Sequence, residues 1–320
     1  MLVQIEELTK VYRTGTRAND GISLAVAEGE VFGLLGHNGA GKTTLVNQVI
    51  GLLRPTSGSI RVDGRDLVAD PGLARRLCSF QAQAHVPIDG LTPRQAIDLL
   101  GQLRGGSQGD VRRRRELLVD ALDMGAWLDV DAASLSGGVK RLVAFAMAAV
   151  WPGRVVMLDE PTNDVDPLRR RLLWKQVRRL ADDGAAVLLV THNVIEVERS
   201  VDRLAILDCG RVSAEGTPAE LKARIGAALR LELVLDPGAP GAPVSPFPGS
   251  PVAVGNRLMV AVPSDGASQA VAWAESLQGS GVIEEFVLGP ATLEDVYVAL
   301  VGDVAARPEE TEEALHAAAA

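Results

Sequence analysis

Apolar residues along the chain alternate between short unbroken runs and stretches with helical spacing. The unbroken runs at 31–35, 155–158 and 186–190 have the length and composition of strands that are buried on both faces. Between such runs, apolar residues recur three or four positions apart, which is typical of amphipathic helices. Apolar strands that alternate with helices predict a mainly parallel sheet and therefore an α/β fold.

Other parts of the chain follow different patterns. Residues 2–30 and 57–64 are expected to form strands joined by turns. From about residue 72 to 150 the pattern becomes helical. Within that stretch Thr92 begins a capping box, and Pro93 occupies the first helical position.

The second half of the helical stretch contains a basic run. Residues 105–109 are expected to form a loop, and Asp110 is expected to cap the helix that follows. Residues 112–115 are consecutive arginines. Because no aromatic residues are interleaved with them, this run is interpreted as a solvated helix face rather than a nucleic-acid patch.

The composition changes after about residue 226. Residues 236–251 are rich in Pro and Gly and predict a loop. The other predicted elements there are strands at 231–235, 257–262 and 284–288 and helices at 268–277 and 292–301. Residues 226–302 therefore predict a small α+β module, and 303–320, acidic and then Ala-rich, predict a disordered or loosely helical tail.

Composition narrows the possible partners. The chain has 320 residues, a net charge of -9 and 47% apolar residues, so it can bury a large core and carries no general basic character. The negative charge argues against nucleic acid as the main partner. The two cysteines, Cys78 and Cys209, form no CxxC pair, so neither a cysteine metal site nor a disulfide framework is expected. No stretch approaches the length of an uncharged apolar membrane span.

A glycine-rich loop carries the clearest chemistry. It follows the predicted strand 31–35, precedes the helix-like run 45–50, and consists of Gly36, His37, Asn38, Gly39, Ala40, Gly41, Lys42, Thr43 and Thr44. Glycines allow successive backbone N–H groups to point at phosphate oxygens, and the helix start adds its positive dipole end. Lys42 can supply charge for the β- and γ-phosphates, and the Thr43 hydroxyl can take a Mg²⁺ coordination position. This loop therefore predicts nucleotide binding.

Further short motifs follow the glycine-rich loop in a characteristic order. They are Gln83, the run Leu135-Ser136-Gly137-Gly138 at a helix start, the strand end Asp159-Glu160-Pro161-Thr162, and Val190-Thr191-His192. Together with the loop, they resemble the ATP-binding cassette (ABC) ATPases over roughly residues 1–225. The resemblance implies a P-loop NTPase with an antiparallel β subdomain and a helical subdomain at about 75–150, in addition to the mainly parallel sheet and the C-terminal module.

The resemblance also implies roles for these residues. Asp159 would hold Mg²⁺ through water, Glu160 would polarise the attacking water, and His192 would reach the γ-phosphate and help to position that water. Ser136, Gly137 and Gly138 are similar to the ABC signature motif, which faces the nucleotide of a second copy. With Lys42 in place, ATP hydrolysis is expected.

At some positions this chain matches the family pattern less specifically or departs from it. Gln83 lies eight residues before Leu91, where the family's glutamine that touches Mg²⁺ or water commonly stands, but Gln81 is an alternative. Tyr12 matches the aromatic residue that stacks on adenine, with a half-buried strand aromatic as the alternative interpretation. In the loop that follows Asp159-Glu160-Pro161-Thr162, Asp166 matches the family pattern, but Asp164 stands where the family usually has glycine.

Only one cassette is present, and the pattern after residue 216 looks like the ATPase subunits of drug-resistance-type exporters. The resemblance implies ATP and Mg²⁺ as cofactors, a homodimer with a second ABC ATPase subunit, and a separate integral-membrane permease. The chain would lie at the cytoplasmic face of the cell membrane, and the permease would dock around residues 83–100. It would power export of a drug, lipid or other hydrophobic compound, with no nucleic-acid partner. The alternative is a soluble regulatory or nucleic-acid-associated ABC ATPase, which the acidic charge and single cassette disfavour.

Overall fold

The chain folds into two compact units, Met1–Glu215 and a second unit that begins at Gly216. The computed structural model describes residues 1–84, 86–224, 229–239, 241–249 and 251–301. The predicted tail at 303–320 lies outside these ranges. The predicted boundary of the ATPase region near residue 225 remains a prediction, because the division at Glu215 reflects compactness and not activity.

The first unit combines two sheets with helices on either side. Its strands are β1 (Val3–Val11), β2 (Arg17–Val26), β3 (Val31–Leu35), β4 (Ser57–Val62), β5 (Arg65–Asp66), β6 (Cys78–Gln81), β7 (Val155–Asp159), β8 (Ala186–Thr191), β9 (Arg203–Asp208) and β10 (Arg211–Gly216). Its helices are α1 (Lys42–Val49), α2 (Pro71–Leu77), α3 (Pro93–Leu103), α4 (Gln108–Ala121), α5 (Gly137–Ala149), α6 (Pro167–Asp182) and α7 (Val194–Ser200).

The larger sheet has six strands in the order β10-β9-β3-β8-β7-β6. The pairs β9–β3, β3–β8, β8–β7 and β7–β6 are all parallel, as the unbroken apolar runs predict. Every residue of β3, β7 and β8 is buried, as expected for strands that are covered on both faces of the sheet. The carboxyl ends of β3, β8, β7 and β6 therefore lie side by side at one sheet edge, where α/β folds place their ligands.

A second sheet, in the order β2-β1-β4-β5, is antiparallel. Its apolar face shares one core with the larger sheet and with α1. That core includes Val3, Ile5, Leu8, Ile22, Leu24, Leu34, Leu45, Val46, Val49, Met157 and Leu188. Helix α1 is consequently held between the two sheets, which fixes the position of the glycine-rich loop that leads into it.

Three local expectations were wrong within the stretch at 72–150. Residues 78–81 are a strand and not helix, because this short run pairs with β7 in parallel. Helix α4 begins at Gln108, and its cap is Ser107, whose side chain accepts from the Asp110 N–H. Asp110 therefore lies in the first turn, where its charge complements the helix dipole.

The arginine run is only partly solvated. Arg112, Arg113 and Arg114 are exposed, as expected. Arg115 is instead buried, and its guanidinium forms an ion pair with Asp98 of α3. The ion pair joins α3 to α4, so this arginine contributes to packing rather than to a solvated face.

The second unit is a small α+β module, as predicted. Its strands are β11 (Leu229–Leu235), β12 (Val252–Val254), β13 (Arg257–Val262) and β14 (Ile283–Pro290), and its helices are α8 (Pro218–Arg224), α9 (Ala267–Gly279) and α10 (Leu293–Val301). The sheet order is β12-β13-β11-β14, with antiparallel pairs throughout. Its separate core includes Leu231, Leu233, Phe247, Leu258, Val260, Ala270 and Ile283. Strand β12 had no counterpart in the prediction, because it is short and lies beside the Pro- and Gly-rich segment.

Candidate nucleotide-binding site

The glycine-rich loop links β3 to α1 and encloses a concave backbone surface. Gly39 and Gly41 have φ values of 83° and 99°, in the left-handed region that favours glycine. A Cβ atom on Gly41 would lie 2.2 Å from the Ala18 carbonyl oxygen, so no side chain fits there. The Lys42 ammonium donates to the carbonyl oxygens of Gly36 at 2.7 Å and His37 at 2.9 Å. The lysine is thereby folded along the loop, which is the arrangement a phosphate-binding cradle requires.

A buried amide pair that sequence reasoning missed supports this loop. Asn19 of β2 is fully buried, and its side-chain N–H₂ donates to the Gly41 carbonyl at 3.1 Å. Gln48 of α1 donates to Asn19 Oδ1 at 2.6 Å and to the Thr44 carbonyl at 3.1 Å. The available signal was a glutamine on a helix whose neighbours, Val46 and Val49, are all core residues. These bonds hold the start of α1 at a fixed distance from the antiparallel sheet.

Glu160 and His192 meet where β7 and β8 end. Glu160 is 3% exposed, and its Oε1 accepts from the His192 backbone N–H at 2.8 Å and lies 2.5 Å from His192 Nδ1. Its Oε2 accepts from the Thr191 hydroxyl at 2.8 Å. An ionised carboxylate only accepts hydrogen bonds, so Nδ1 carries the proton in this contact. Three donors thus hold the Glu160 carboxylate in one orientation, and Thr191 is a member of the group that sequence reasoning did not identify.

The backbone after β7 has an uncommon conformation. Glu160 and Asp164 have φ values of 48° and 63°, which non-glycine residues adopt infrequently. Asp164 therefore takes the conformation that the usual glycine would favour, and the departure from the family pattern is accommodated. Thr162 stabilises this loop because its hydroxyl donates to Glu196 of α7, which also pairs with Arg170 at 3.0 Å.

The Ser136-Gly137-Gly138 stretch begins α5. Ser136 is the N-cap, and its hydroxyl oxygen accepts from the Val139 N–H at 3.4 Å. A Cβ atom on Gly138 would lie 2.3 Å from the Asp164 carbonyl oxygen. The start of α5 therefore packs directly against the loop after β7, and this contact requires glycine.

Asp166 caps α6. Its side chain accepts from the backbone N–H groups of Leu168 and Arg169, and it also forms an ion pair with the Arg169 guanidinium at 3.2 Å. The backbone hydrogen bond from Arg169 is the main cause that lowers the pKa of the Asp166 carboxyl below its usual value. Asp166 is therefore an exposed carboxylate that stays ionised at neutral pH.

The two candidate glutamines differ in environment. Gln83 is exposed, and its carbonyl accepts from the Arg141 guanidinium at 2.6 Å. Gln81 ends β6 opposite Leu158, one residue before Asp159, and is 1% exposed. Across the described part of the chain, neither side-chain atom of Gln81 has a hydrogen-bond partner. The structure therefore brings both glutamines to the same sheet edge as Asp159 and Glu160.

Tyr12 follows β1 and lies against α1. Its hydroxyl is 3.3 Å from the Thr44 hydroxyl oxygen, and the ring is half-buried with the Lys10 ammonium 5.5 Å from its centroid. The structure thus places Tyr12 next to the end of the glycine-rich loop.

The donor types at this edge suit Mg²⁺ and a nucleotide. Thr43 is exposed at the first turn of α1, and Asp159 is 4% exposed at the end of β7. Hydroxyl, carboxylate and amide oxygens are hard ligands of the kind that Mg²⁺ prefers. The glycine cradle and Lys42 are matched to phosphate oxygens, and the partnerless Gln81 amide is a buried polar group that a ligand could satisfy.

Comparison with known protein families agrees with this geometry. The family model described as ABC transporter matches residues 19–163. The chain is similar to a solved ATP-binding subunit of an ABC transporter, at 29% identity and TM-score 0.66 over 71% of this chain and 94% of that one. It is also similar to a cassette solved as a dimer in a post-hydrolysis state with ADP and Pi, at 27% identity and TM-score 0.62 over 67% and 98% of the two chains. No helix within the described ranges is both long enough and apolar enough to span a membrane.

Curated relatives extend the similarity beyond the cassette. The daunorubicin/doxorubicin resistance ATP-binding protein DrrA of Streptomyces peucetius is 40% identical over 72% of this chain and 70% of its own length. The daunorubicin resistance ATP-binding protein DrrA3 of Streptomyces coeruleorubidus is 36% identical over 90% of this chain and 92% of its own length. The second match includes the C-terminal module as well as the cassette. Similarity of this extent places the chain in the ABC transporter family, as an ATP-binding subunit that hydrolyses ATP.

Proposed function

We propose that the chain powers export of a drug, lipid or other hydrophobic compound through a separate integral-membrane permease. It would work as a homodimer that holds two ATP molecules with Mg²⁺ between its subunits, at the cytoplasmic face of the cell membrane. The observation that carries this proposal is the 36% identity to a daunorubicin resistance ATP-binding protein over 90% of the chain. Because that relative's name refers to resistance, removal of a toxic compound is the activity it favours.

Phosphate binding would rest on the glycine-rich loop, from Gly36 to Thr44. Lys42 already directs its ammonium along the inside of the loop, where the carbonyls of Gly36 and His37 accept from it. Phosphate oxygens are stronger partners for an ammonium than neutral carbonyls. Tyr12, next to Thr44, is available to stack on adenine.

Thr43, Asp159 and Gln83 would hold Mg²⁺, which when bound neutralises charge on the β- and γ-phosphates. Thr43 contributes a hydroxyl from α1, and Asp159 a carboxylate from the end of β7. Gln83 lies in an exposed segment after β6, so its side chain can approach the metal as the segment adjusts. Gln81 remains the alternative for this role.

Glu160 would polarise the attacking water, with His192 as its partner. Three donors from Thr191 and His192 hold the Glu160 carboxylate, so it can accept a proton from water without first reorienting. The His192 side chain is 58% exposed and can therefore reach a γ-phosphate at the sheet edge. This preorganisation supports a catalytic role for the pair.

Completion of the site would need a second copy. Ser136, Gly137 and Gly138 begin α5 with backbone N–H groups that are suited to a γ-phosphate. Their contact with Asp164 joins them to the loop that contains Asp166. In the proposed homodimer these residues face the nucleotide held by the loop of the other subunit, so ATP binding and dimer closure are coupled.

The permease would dock on the helical region. Leu99 and Leu103 are one turn apart on α3 and are 52% and 74% exposed, so they form an apolar stripe. This stripe borders the predicted docking region at 83–100, and an apolar contact there would stabilise a complex with a membrane protein.

Replacement of both stripe residues tests the permease proposal. The tagged chain is purified in detergent from membranes of its native host, and the bound polytopic membrane protein is identified by mass spectrometry. Leu99→Glu/Leu103→Glu is expected to lose that protein and to keep basal ATPase activity, whereas Leu117→Glu, a control on α4 at a residue of similar exposure, keeps both. If no multi-span protein is recovered with the unsubstituted chain, and the chain binds nucleic acid in a salt-sensitive manner, the regulatory alternative replaces this proposal.

A further inference from the structure

A cluster of chemically different side chains lies on the outer side of the glycine-rich loop. The end of β9 and the turn that follows it bring Asp208 and Cys209 to His37 of the loop. His37 Nε2 is 3.1 Å from Asp208 Oδ1, and Cys209 Sγ is 3.5 Å from the same oxygen. The imidazole nitrogen, the carboxylate oxygen and the thiol sulfur all lie within 4.8 Å of one another. This spacing is close enough for one ion to contact all three atoms.

The hydrogen bond of His37 Nδ1 indicates that this nitrogen carries a proton. His37 Nδ1 is 2.6 Å from the Asn38 carbonyl oxygen, which can only accept, so Nδ1 carries a proton. In the neutral ring, Nε2 then presents a lone pair to the Asp208 carboxylate, which is also an acceptor. A cation between the two relieves this opposition, whether it is a proton on Nε2 or a metal ion. Metal-ligating histidines commonly donate their second N–H to a backbone carbonyl in this way.

The backbone holds the cluster in place. The Gly210 N–H donates to the Ala40 carbonyl at 3.1 Å, which ties the turn to the loop. A Cβ atom on Gly36 would lie 2.6 Å from the Leu207 carbonyl oxygen, so the loop and β9 approach as closely as glycine allows. Cys209 itself has a φ of 48°, where Asn or Gly is usual in a hairpin turn. The ligand atoms are thus brought together by the fold and not by flexible side chains alone.

We propose that His37, Asp208 and Cys209 bind Zn²⁺ or a similar borderline-soft divalent ion, at a site distinct from that of Mg²⁺. The imidazole, thiolate and carboxylate are ligand types that Zn²⁺ accepts, whereas Mg²⁺ prefers oxygen alone. Three protein ligands leave a fourth tetrahedral position for water. Binding would require loss of the Cys209 thiol proton, so it would release a proton to solvent.

The sequence does not predict this site because its ligands are far apart in the chain. His37 belongs to the phosphate-binding motif at a position where many residues are accepted, and Cys209 has no second cysteine near it in sequence. Only the pairing of β9 with β3 brings the loop and the turn to the same edge.

Direct metal titration tests the proposal. The full chain without nucleotide is titrated with ZnCl₂ by calorimetry in excess MgCl₂, and CoCl₂ is used to detect a thiolate-to-cobalt absorption band. One Zn²⁺ per chain is expected, together with the band. Cys209→Ser and Asp208→Asn are each expected to weaken Zn²⁺ binding by more than about tenfold. Cys78→Ala is the matched control: burial raises the pKa of Cys78 to about 12, so its replacement should leave Zn²⁺ affinity unchanged.

A second measurement does not depend on variants. Zn²⁺ should protect Cys209 of the unsubstituted chain from alkylation, as followed by peptide mass spectrometry. The proposal is overturned if Zn²⁺ gives no protection, or if Cys209→Ser binds Zn²⁺ as tightly as the unsubstituted chain. Displacement of Zn²⁺ by millimolar Mg²⁺ would also overturn it, because the ion would then lie at the oxygen ligands near Thr43 and Asp159. None of these outcomes bears on the transport proposal.

Discussion

Two buried amide side chains, those of Asn19 and Gln48, support the glycine-rich loop at the candidate nucleotide-binding site. Asn19 and Gln48 are 0% and 2% exposed and bond to each other as well as to the carbonyls of Gly41 and Thr44. Buried amides are costly unless they are paired, so the two residues depend on each other. Their bonds end on the first turn of α1, and this connects a core interaction to the geometry of the phosphate loop.

A double-mutant cycle measures that dependence. Asn19→Leu alone is expected to lower the free energy of unfolding by about 1–3 kcal/mol, because Gln48 loses its partner. It should also raise KM for ATP, because the Gly41 carbonyl loses the hydrogen bond that ties it to β2. Addition of Gln48→Leu should recover much of the stability, since both polar groups are then absent. Urea unfolding and steady-state kinetics give the two quantities; strictly additive losses would show that the pair is not coupled.

The Mg²⁺ requirement of ATPase activity distinguishes the roles of the two candidate glutamines, Gln81 and Gln83. Gln83→Ala is expected to raise the Mg²⁺ concentration needed for half-maximal ATPase activity, as its spacing from Leu91 predicts. Gln81→Leu is expected to leave that concentration unchanged and to stabilise the fold by about 1 kcal/mol, because it removes a buried amide that has no partner in the described chain. The opposite pattern, in which only Gln81→Leu changes the Mg²⁺ requirement, would assign the metal role to Gln81.

At the scale of secondary-structure elements, the start of α5 makes a close contact with the loop after β7. The Gly138 backbone approaches the Asp164 carbonyl so closely that a methyl group cannot be inserted without displacement. Asp164 is itself in a left-handed conformation. Movement of either element should therefore be transmitted to the other.

Gly138→Ala is expected to destabilise the chain even when nucleotide is absent. The added methyl group must displace the Asp164 carbonyl, at a cost of about 1–3 kcal/mol, and ATPase activity should fall as well. Gly109→Ala is the matched control, because Gly109 lies in α4 with open space around the position of an added Cβ atom. The melting temperature of this variant should equal that of the unsubstituted chain or be slightly higher. Equal melting temperatures for Gly138→Ala and the unsubstituted chain would contradict the contact.

The sequence predicted those helices and strands that have a strong local pattern of apolar or capping residues. The fully apolar runs of β3, β7 and β8 and the capping box at Thr92 are present as expected. Strand β6 was missed because its four residues carry no periodicity that separates them from the helix before them. Contacts such as Gly138 with Asp164 join residues that are distant in sequence, and no local pattern encodes them.

In the first unit, the candidate nucleotide-binding residues gather at the carboxyl ends of the parallel strands. The glycine-rich loop, Asp159, Glu160 and His192 lie at the carboxyl ends of adjacent strands. The sequence predicted a strand end before each motif, and the strand order β3-β8-β7 makes these ends neighbours. The start of α5 packs against its own chain where Gly138 approaches the Asp164 carbonyl. The proposed homodimer requires that Ser136, Gly137 and Gly138 complete the site of a second copy rather than their own.

The most direct test is the oligomeric state of Glu160→Gln with ATP. Loss of the carboxylate should stop turnover and leave ATP binding intact, so the closed dimer should accumulate and its mass by light scattering should double. Ser136→Arg in the same background is the control, and it should remain monomeric because the arginine obstructs the interface. If Glu160→Gln binds ATP and stays monomeric, or still hydrolyses ATP at the rate of the unsubstituted chain, the shared-site account is wrong.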